Sequence, residues 1–329
     1  MISTSTETPP GRQSRRADAT EPASQPSHPL DLAGRAVLLA TDGSPCSVAA
    51  AFVAHELARK YHAVIHVVSV IDPRSSLLPP PLYVAFGMGD IVATQAYEEQ
   101  ESSVRNELSR AIGEQIEWPV RLMFGTPAAS IVQEANHLGA VLVLLGLRRH
   151  GRLDRVVHDE TALNVMRTAF CPVLGVVAEM DGLPSHILSA VDFGDGSVLA
   201  ARAARAMVGD DAKLTLAYVQ PMNGFLDDEG ECRIHTMGVN AGFAKLREEF
   251  GGADVRFDHV VLHASEEETP GQALLEYADE IGADLITAGS VQHSRLDRWM
   301  VGSVSAELVR DGRRSVLIVP PRRPVSGVK

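Results

Sequence analysis

The chain has 329 residues and a formal net charge of -12, with 45% hydrophobic and 22% charged residues. That length predicts two domains, each able to bury a core. The acidic balance argues against a generic nucleic-acid or anionic-membrane surface, since both attract basic proteins. A local phosphate pocket stays compatible with it, because backbone N–H groups build one without net positive charge.

From the N-terminus, the chain is rich in Ser, Thr, Pro and Gln through about Pro29. This composition predicts a disordered tail, placed at residues 1–34, with targeting as a lesser alternative. Arg12, Arg15 and Arg16 are not followed by the apolar stretch of a secretory signal. An apolar run then ends in an acid, AVLLATD from Ala36 to Asp42, and a small-residue turn Gly43-Ser44-Pro45 follows. The alanine-rich stretch Ser47 to Lys60 repeats its apolar residues at helical spacing, as at Ala50, Val53, Ala54 and Leu57. A second strand is predicted at Val64 to Val70, then a less regular segment. Gly125-Thr126-Pro127 opens a helix, since proline suits the first helical turn. A strand from Ala140 to Gly146 and a last strand from Pro172 to Val177 complete the first half. No apolar run, Val141 to Leu145 included, is long enough to span a bilayer.

The same order then recurs. Ile187 to Asp192 reads ILSAVD, followed by Phe193-Gly194-Asp195-Gly196 and a helical stretch Ser197 to Val208. Leu214 to Val219 is the second strand, Thr269-Pro270-Gly271 the proline-led helix start, Ala283 to Gly289 the strand ending in glycine, and Ser315 to Val319 the last strand. Arg-Leu-Asp-Arg occurs at 152–155 and again at 295–298. Strands alternating with helices predict an α/β fold with a mostly parallel sheet covered on both faces. The Pro/Gly stretch Met180 to Pro184 is the natural boundary. The domains are placed at 35–180 and 184–321, with a C-terminal tail at 322–329.

These motifs resemble the universal stress protein family. The resemblance rests on the Asp-terminated first strand, the Gly-x-Pro-type helix start, a strand ending in Gly before a loop, and the last strand Cys171-Pro172-Val173-Leu174-Gly175-Val176. It covers both halves, nearly the whole chain outside the tails. It implies two tandem Rossmann-like domains, each a five-stranded parallel sheet flanked by helices. It also implies ATP at the carboxyl ends of the strands, with magnesium as its accompanying ion, in those members that keep the loop Gly-x-x-Gly, nine residues, then Gly-Ser or Gly-Thr. It implies pairing of the two domains within one chain; further self-association and an unidentified protein partner stay open.

Set against that loop, the second half keeps Gly289, Gly302 and Ser303, adds the hydroxyl of Ser305, and places Gln292 at the second glycine. With Asp192, which the family places near the adenosine, these form the candidate nucleotide site. Gln292 either blocks the backbone nest or supplies an amide donor. The first half keeps Asp42 and Gly146 but has Arg149 at the second glycine and Asp159-Glu160 at the Gly-Ser pair. Asp159 reads as a helix cap on a retired pocket; another anion at Arg148 and Arg149, or a metal at Asp159 and Glu160, are the alternatives. ATP is therefore expected in the second domain only.

Outside this loop the sequence carries little chemistry. Cys46, Cys171 and Cys232 form no CxxC pair, and their odd count points to reduced thiols and a cytoplasmic location. Cys46 reads as a packed small residue before a redox thiol. His259 and His263 read as ordinary histidines before a metal pair, and the apolar stretch Leu78 to Phe86 as a lid or interface patch. No Walker A sequence, nucleophile elbow or HExxH occurs. No catalytic residue is assigned, although slow ATP turnover stays open. A nucleotide-free interaction scaffold is the alternative function. The last strands, near Val173–Val177 and Val316–Pro320, are expected to join the two copies about a pseudo-twofold axis.

Overall fold

The computed structural model describes residues 30–72, 89–147, 159–207, 212–221, 229–250, 257–265, 267–292, 299–300, 302–311 and 313–321. The stretch Leu78 to Phe86, both Arg-Leu-Asp-Arg repeats, Arg148, Arg149 and the segments 1–29 and 322–329 lie outside these residues. In the first half the elements are β1 (Ala36–Ala40), α1 (Pro45–Tyr61), β2 (Val64–Ile71), α2 (Gly89–Ile112), β3 (Val120–Phe124), α3 (Pro127–Leu138), β4 (Leu142–Gly146), α4 (Asp159–Thr168) and β5 (Val173–Val176). In the second they are β6 (His186–Ala190), α5 (Asp195–Met207), β7 (Lys213–Pro221), α6 (Glu229–Glu249), β8 (Asp258–Ala264), α7 (Pro270–Glu280) and β9 (Leu285–Gly289). A two-residue hairpin pair, β10 (Val291–Gln292) and β11 (Trp299–Met300), then precedes α8 (Ser303–Asp311) and β12 (Ser315–Val319).

The helix starts follow from their caps. The Ser44 hydroxyl accepts the Ser47 N–H ahead of α1, with Pro45 in the first turn. Thr269 and Gln272 form a reciprocal capping box at α7, behind Pro270. The segments that read as less regular hold α2 and β3, and α6 and β8. Periodicity is faint in α2 because only Val104 and Leu108 of its described side chains are buried, on a helix otherwise carrying charge. Leu30 and Leu32, within the stretch assigned to the tail, are each only 4% exposed and join the core.

All strands but the hairpin lie in one ten-stranded sheet of order β3-β2-β1-β4-β5-β12-β9-β6-β7-β8. Every neighbouring pair is parallel except β5 and β12, which run antiparallel with Leu174 opposite Leu317. The order reads identically outward from that junction, so the two halves pair through their last strands as expected. The central strands are near-continuous apolar runs because helices cover both faces. One core cluster unites α1, α2, α5 and α6 with one face, and the other unites α3, α4, α7 and α8 with the opposite face; each runs through both halves. Tyr61 at the end of α1 also donates its hydroxyl to the Met207 carbonyl at the end of α5, at 3.3 Å. Among the described residues no helix is long and apolar enough to cross a membrane.

Candidate functional site

In an open α/β sheet the ligand crevice lies outside the carboxyl ends of the strands, where the strand order reverses. Here that point falls between β1 and β4 in the first copy and between β6 and β9 in the second. Each crevice is framed by the turn after the first strand.

In the second copy the turn is held by Asp192. Its Oδ1 accepts the Gly194 N–H at 2.9 Å and the Ser197 hydroxyl at 2.6 Å. The first copy builds the same turn, with Asp42 Oδ1 accepting the Ser44 N–H at 3.0 Å. Both turns place their next residue in the left-handed region. In the first copy that residue is Gly43, at φ 73; in the second it is Phe193, at φ 64. Glycine adopts this conformation freely, whereas it costs a residue with a Cβ about 1–2 kcal/mol.

The Phe193 ring lies in a fitted aromatic group. It stacks on Tyr218 with centroids 5.4 Å apart and planes 20° apart, and meets Phe243 edge-on at 5.1 Å. Tyr218 in turn lies 3.4 Å from His235 through its hydroxyl, and Phe243 contacts the His259 ring at 4.4 Å. Burial, and then the Asp192 carboxylate, push the Tyr218 phenol above its ordinary range. Strand register makes Ser69 the first-copy counterpart of Tyr218, one residue beyond Val68 and Ala217. The first copy therefore has Gly43 and Ser69 where the second has Phe193 and Tyr218. Gly43 and Ser69 line a small cavity with Thr41, Asp42, Gln100 and Glu107. The partner helix compensates: Glu107 of α2 stands over Gly43, while α6 offers Gly242 to the Phe193 ring. A Cβ on Gly242 would come within 2.6 Å of that ring.

The predicted loop residues separate into two groups. Gly289 is packed against the start of α5, where a Cβ would lie 2.4 Å from the Gly196 backbone. Gly146 meets Cys46 and Ser47 in the same way at 2.6 Å. Close helix–strand approach thus explains glycine at both positions without any ligand. Ser305 is buried and donates its hydroxyl to the Gly289 carbonyl at 3.1 Å, tying α8 to β9. Gly302 caps α8 through its carbonyl, which accepts the Ala306 N–H at 2.9 Å, and Ser303 is exposed at the first turn. That turn presents N–H groups with no partner inside the helix. Gln292, at the position of the family's second glycine, pairs antiparallel with Trp299 through the backbone; β11 also packs against α4 of the first copy. Neither the hairpin nor this contact between copies has a signal in local periodicity. In the first copy α4 begins at Asp159, with Glu160 exposed beside it.

Beneath the second crevice lie three buried hydroxyls, Ser189, Thr287 and Ser290, with no hydrogen-bond partner among the described residues. By register and motif the first copy has Leu39, Leu144 and Leu147 there. Cys46 and Cys171 are buried, and burial pushes the Cys171 thiol up to about 12, which leaves it inert. His259 and His263 lie on β8, and among the described residues no group of three or more His, Cys, Asp or Glu could hold a metal ion.

Comparison with known proteins adds four findings. A family model described as the universal stress protein family matches residues 34–176 and again 184–320. A universal stress protein of Methanocaldococcus jannaschii is 28% identical over 144 residues, covering 43% of this chain and 80% of that protein. The stress response protein NhaX of Bacillus subtilis is 26% identical over 157 residues, 42% of this chain and 95% of its own length. Among solved structures, a universal stress protein from Archaeoglobus fulgidus matches the fold with a TM-score of 0.65 at 19% identity, covering 88% of this chain and 99% of that one.

Proposed function

Because the chain belongs to the universal stress protein family, matched once in each half, we propose that it is a cytoplasmic stress-response protein that binds ATP at its second copy only. The two domains are taken as 35–180 and 184–321. The observation that carries this reading is the contrast at the helix following the loop. The first turn of α8 offers Gly302 and Ser303, while α4 begins with Asp159 and Glu160. A helix N-terminus favours an anion, and two carboxylates there repel one. At an effective dielectric near 20, one such pair at about 4 Å opposes binding by roughly 4 kcal/mol before screening. The orphaned Ser290 hydroxyl beside Gly289 also fits a polar ligand at this end.

If this is right, calorimetry gives at most one ATP per chain. Gly302→Asp removes it and Asp159→Asn changes little. Two ATP per chain, or binding that survives Gly302→Asp, overturns the reading. The second reading, a nucleotide-free interaction scaffold, is favoured by the Phe193 ring packed at the strand ends and by the pairing of Gln292 with Trp299 at the position of the family's second glycine. It predicts no ATP binding by the parent protein.

A further inference from the structure

Register across the ten-stranded sheet sets one residue from each central strand in a single row. It reads Leu39, Leu144 and Leu174, then Leu317, Thr287 and Ser189. The row is centred on the antiparallel junction, so each residue of the first half has its counterpart at the same distance on the other side. Leucine meets leucine at the junction, but the two leucines beyond it are exchanged for Thr287 and Ser189. Both are 0% exposed, and neither hydroxyl has a hydrogen-bond partner among the described residues, not even the other one. Both side chains are on the face that α5 covers, the face of Leu285 and Ile187 two residues earlier. There α5 buries Ala200, Ala203 and Ala204, where α1 has Ala50, Val53 and Ala54. Ser197, the buried hydroxyl of α5, is turned to Asp192. The covering helix thus neither supplies a polar partner nor makes up for the lost leucines with larger side chains.

We propose that this hydroxyl pair is a built-in weak seam between α5 and the sheet, so that the second copy opens as a unit while the first stays closed. A hydroxyl buried without a partner destabilises the closed state, because its hydrogen bonds to water are lost and not replaced. Movement of α5 away from the sheet lets water reach Thr287 and Ser189, and each hydroxyl then both donates and accepts. In the first copy the same movement exposes Leu144 and Leu39 to water, which is unfavourable. The free-energy gap between closed and open states is therefore smaller in the second copy, and local opening follows that gap. Asp192 is tied to α5 through the Ser197 hydroxyl, so the turn that frames the second crevice moves with this helix. The seam thus makes the second crevice the adjustable one and leaves the first as a fixed base.

The test is amide hydrogen exchange read by mass spectrometry on the full chain, without nucleotide, so that its outcome does not depend on ATP binding. Amides of β6, β9 and α5 are expected to exchange at least about tenfold faster than those of β1, β4 and α1. Thr287→Val combined with Ser189→Ala removes both hydroxyls at nearly constant shape. It should slow exchange in the second copy by at least about tenfold and leave the first unchanged. Thr287→Ser, which keeps a hydroxyl, should give no slowing. Equal exchange in the two copies of the parent overturns the seam, as does slowing of both copies alike in the double variant. Unchanged or faster exchange in the double variant, or its failure to fold, also overturns it, since the hydroxyls would then be satisfied in the closed state, for instance by an internal water.

Discussion

The two copies share a strand order, helix placement and turn geometry, yet fill equivalent space in opposite ways. In the first, small residues on the sheet side, Gly43 and Ser69, face Glu107 on the helix side. In the second, large residues on the sheet side, Phe193 and Tyr218, face Gly242. The helix starts that follow the fourth strands diverge as well, with Asp159-Glu160 opening α4 and Gly302-Ser303 at the start of α8. What the copies keep in common is architecture: the glycine ending each fourth strand and the junction strand. What they change is the crevice.

The strongest way to break this comparison is at the shared glycines. Gly146→Ala and Gly289→Ala each force a Cβ into helix backbone, and should destabilise the chain by about 1–3 kcal/mol, similarly in the two copies. Urea denaturation measures this. A neutral Gly289→Ala would return that residue to a ligand role. A smaller effect sharpens the contrast in filling. Gly43→Phe places a ring against Glu107, and adding Glu107→Gly should recover part of the loss, with a coupling of about 1 kcal/mol in a double-mutant cycle. Additive effects would show that the large-for-small exchange is not what distinguishes the crevices.

The smallest effect concerns Asp284, whose first-copy counterpart is Val141. Burial pushes its carboxyl up. The Ser185 hydroxyl, the Ser185 and His186 N–H groups and Arg314 together outweigh this and hold it below the ordinary aspartate range. A depressed folded-state value stabilises above the unfolded value of about 3.9 and is lost as pH falls through the folded one. Asp284→Asn should therefore reduce the loss of stability in acid, by under about 1 kcal/mol because solvent screens this partly exposed group. An unchanged acid limb in pH-dependent denaturation would remove this difference between the copies.

Sequence reading recovered the repeat, the eight strands that end in or beside its motifs, the proline-led helices and the strands that join the copies. These are signalled locally, by apolar runs and by caps. It passed over α2, β3, α6 and β8, whose helices carry much polar surface and whose strands lie toward the sheet edges. The close packing of Gly289 against Gly196 was not legible either, because it involves a segment over ninety residues earlier in the chain. Phe193 read as one residue of a turn. Its partners Tyr218, Gly242 and Phe243 are brought to it only by tertiary folding, so nothing adjacent in sequence marked this packing.

The antiparallel contact of β5 with β12 has a consequence for how the molecule can vary. A protein that makes this contact with a second identical chain must repeat every substitution on both sides of the axis. Linking the halves covalently removes that constraint and keeps the partner at high effective concentration. One crevice can then carry a phenylalanine that the other never receives, and the ratio of the two kinds of crevice stays fixed at one to one in every molecule.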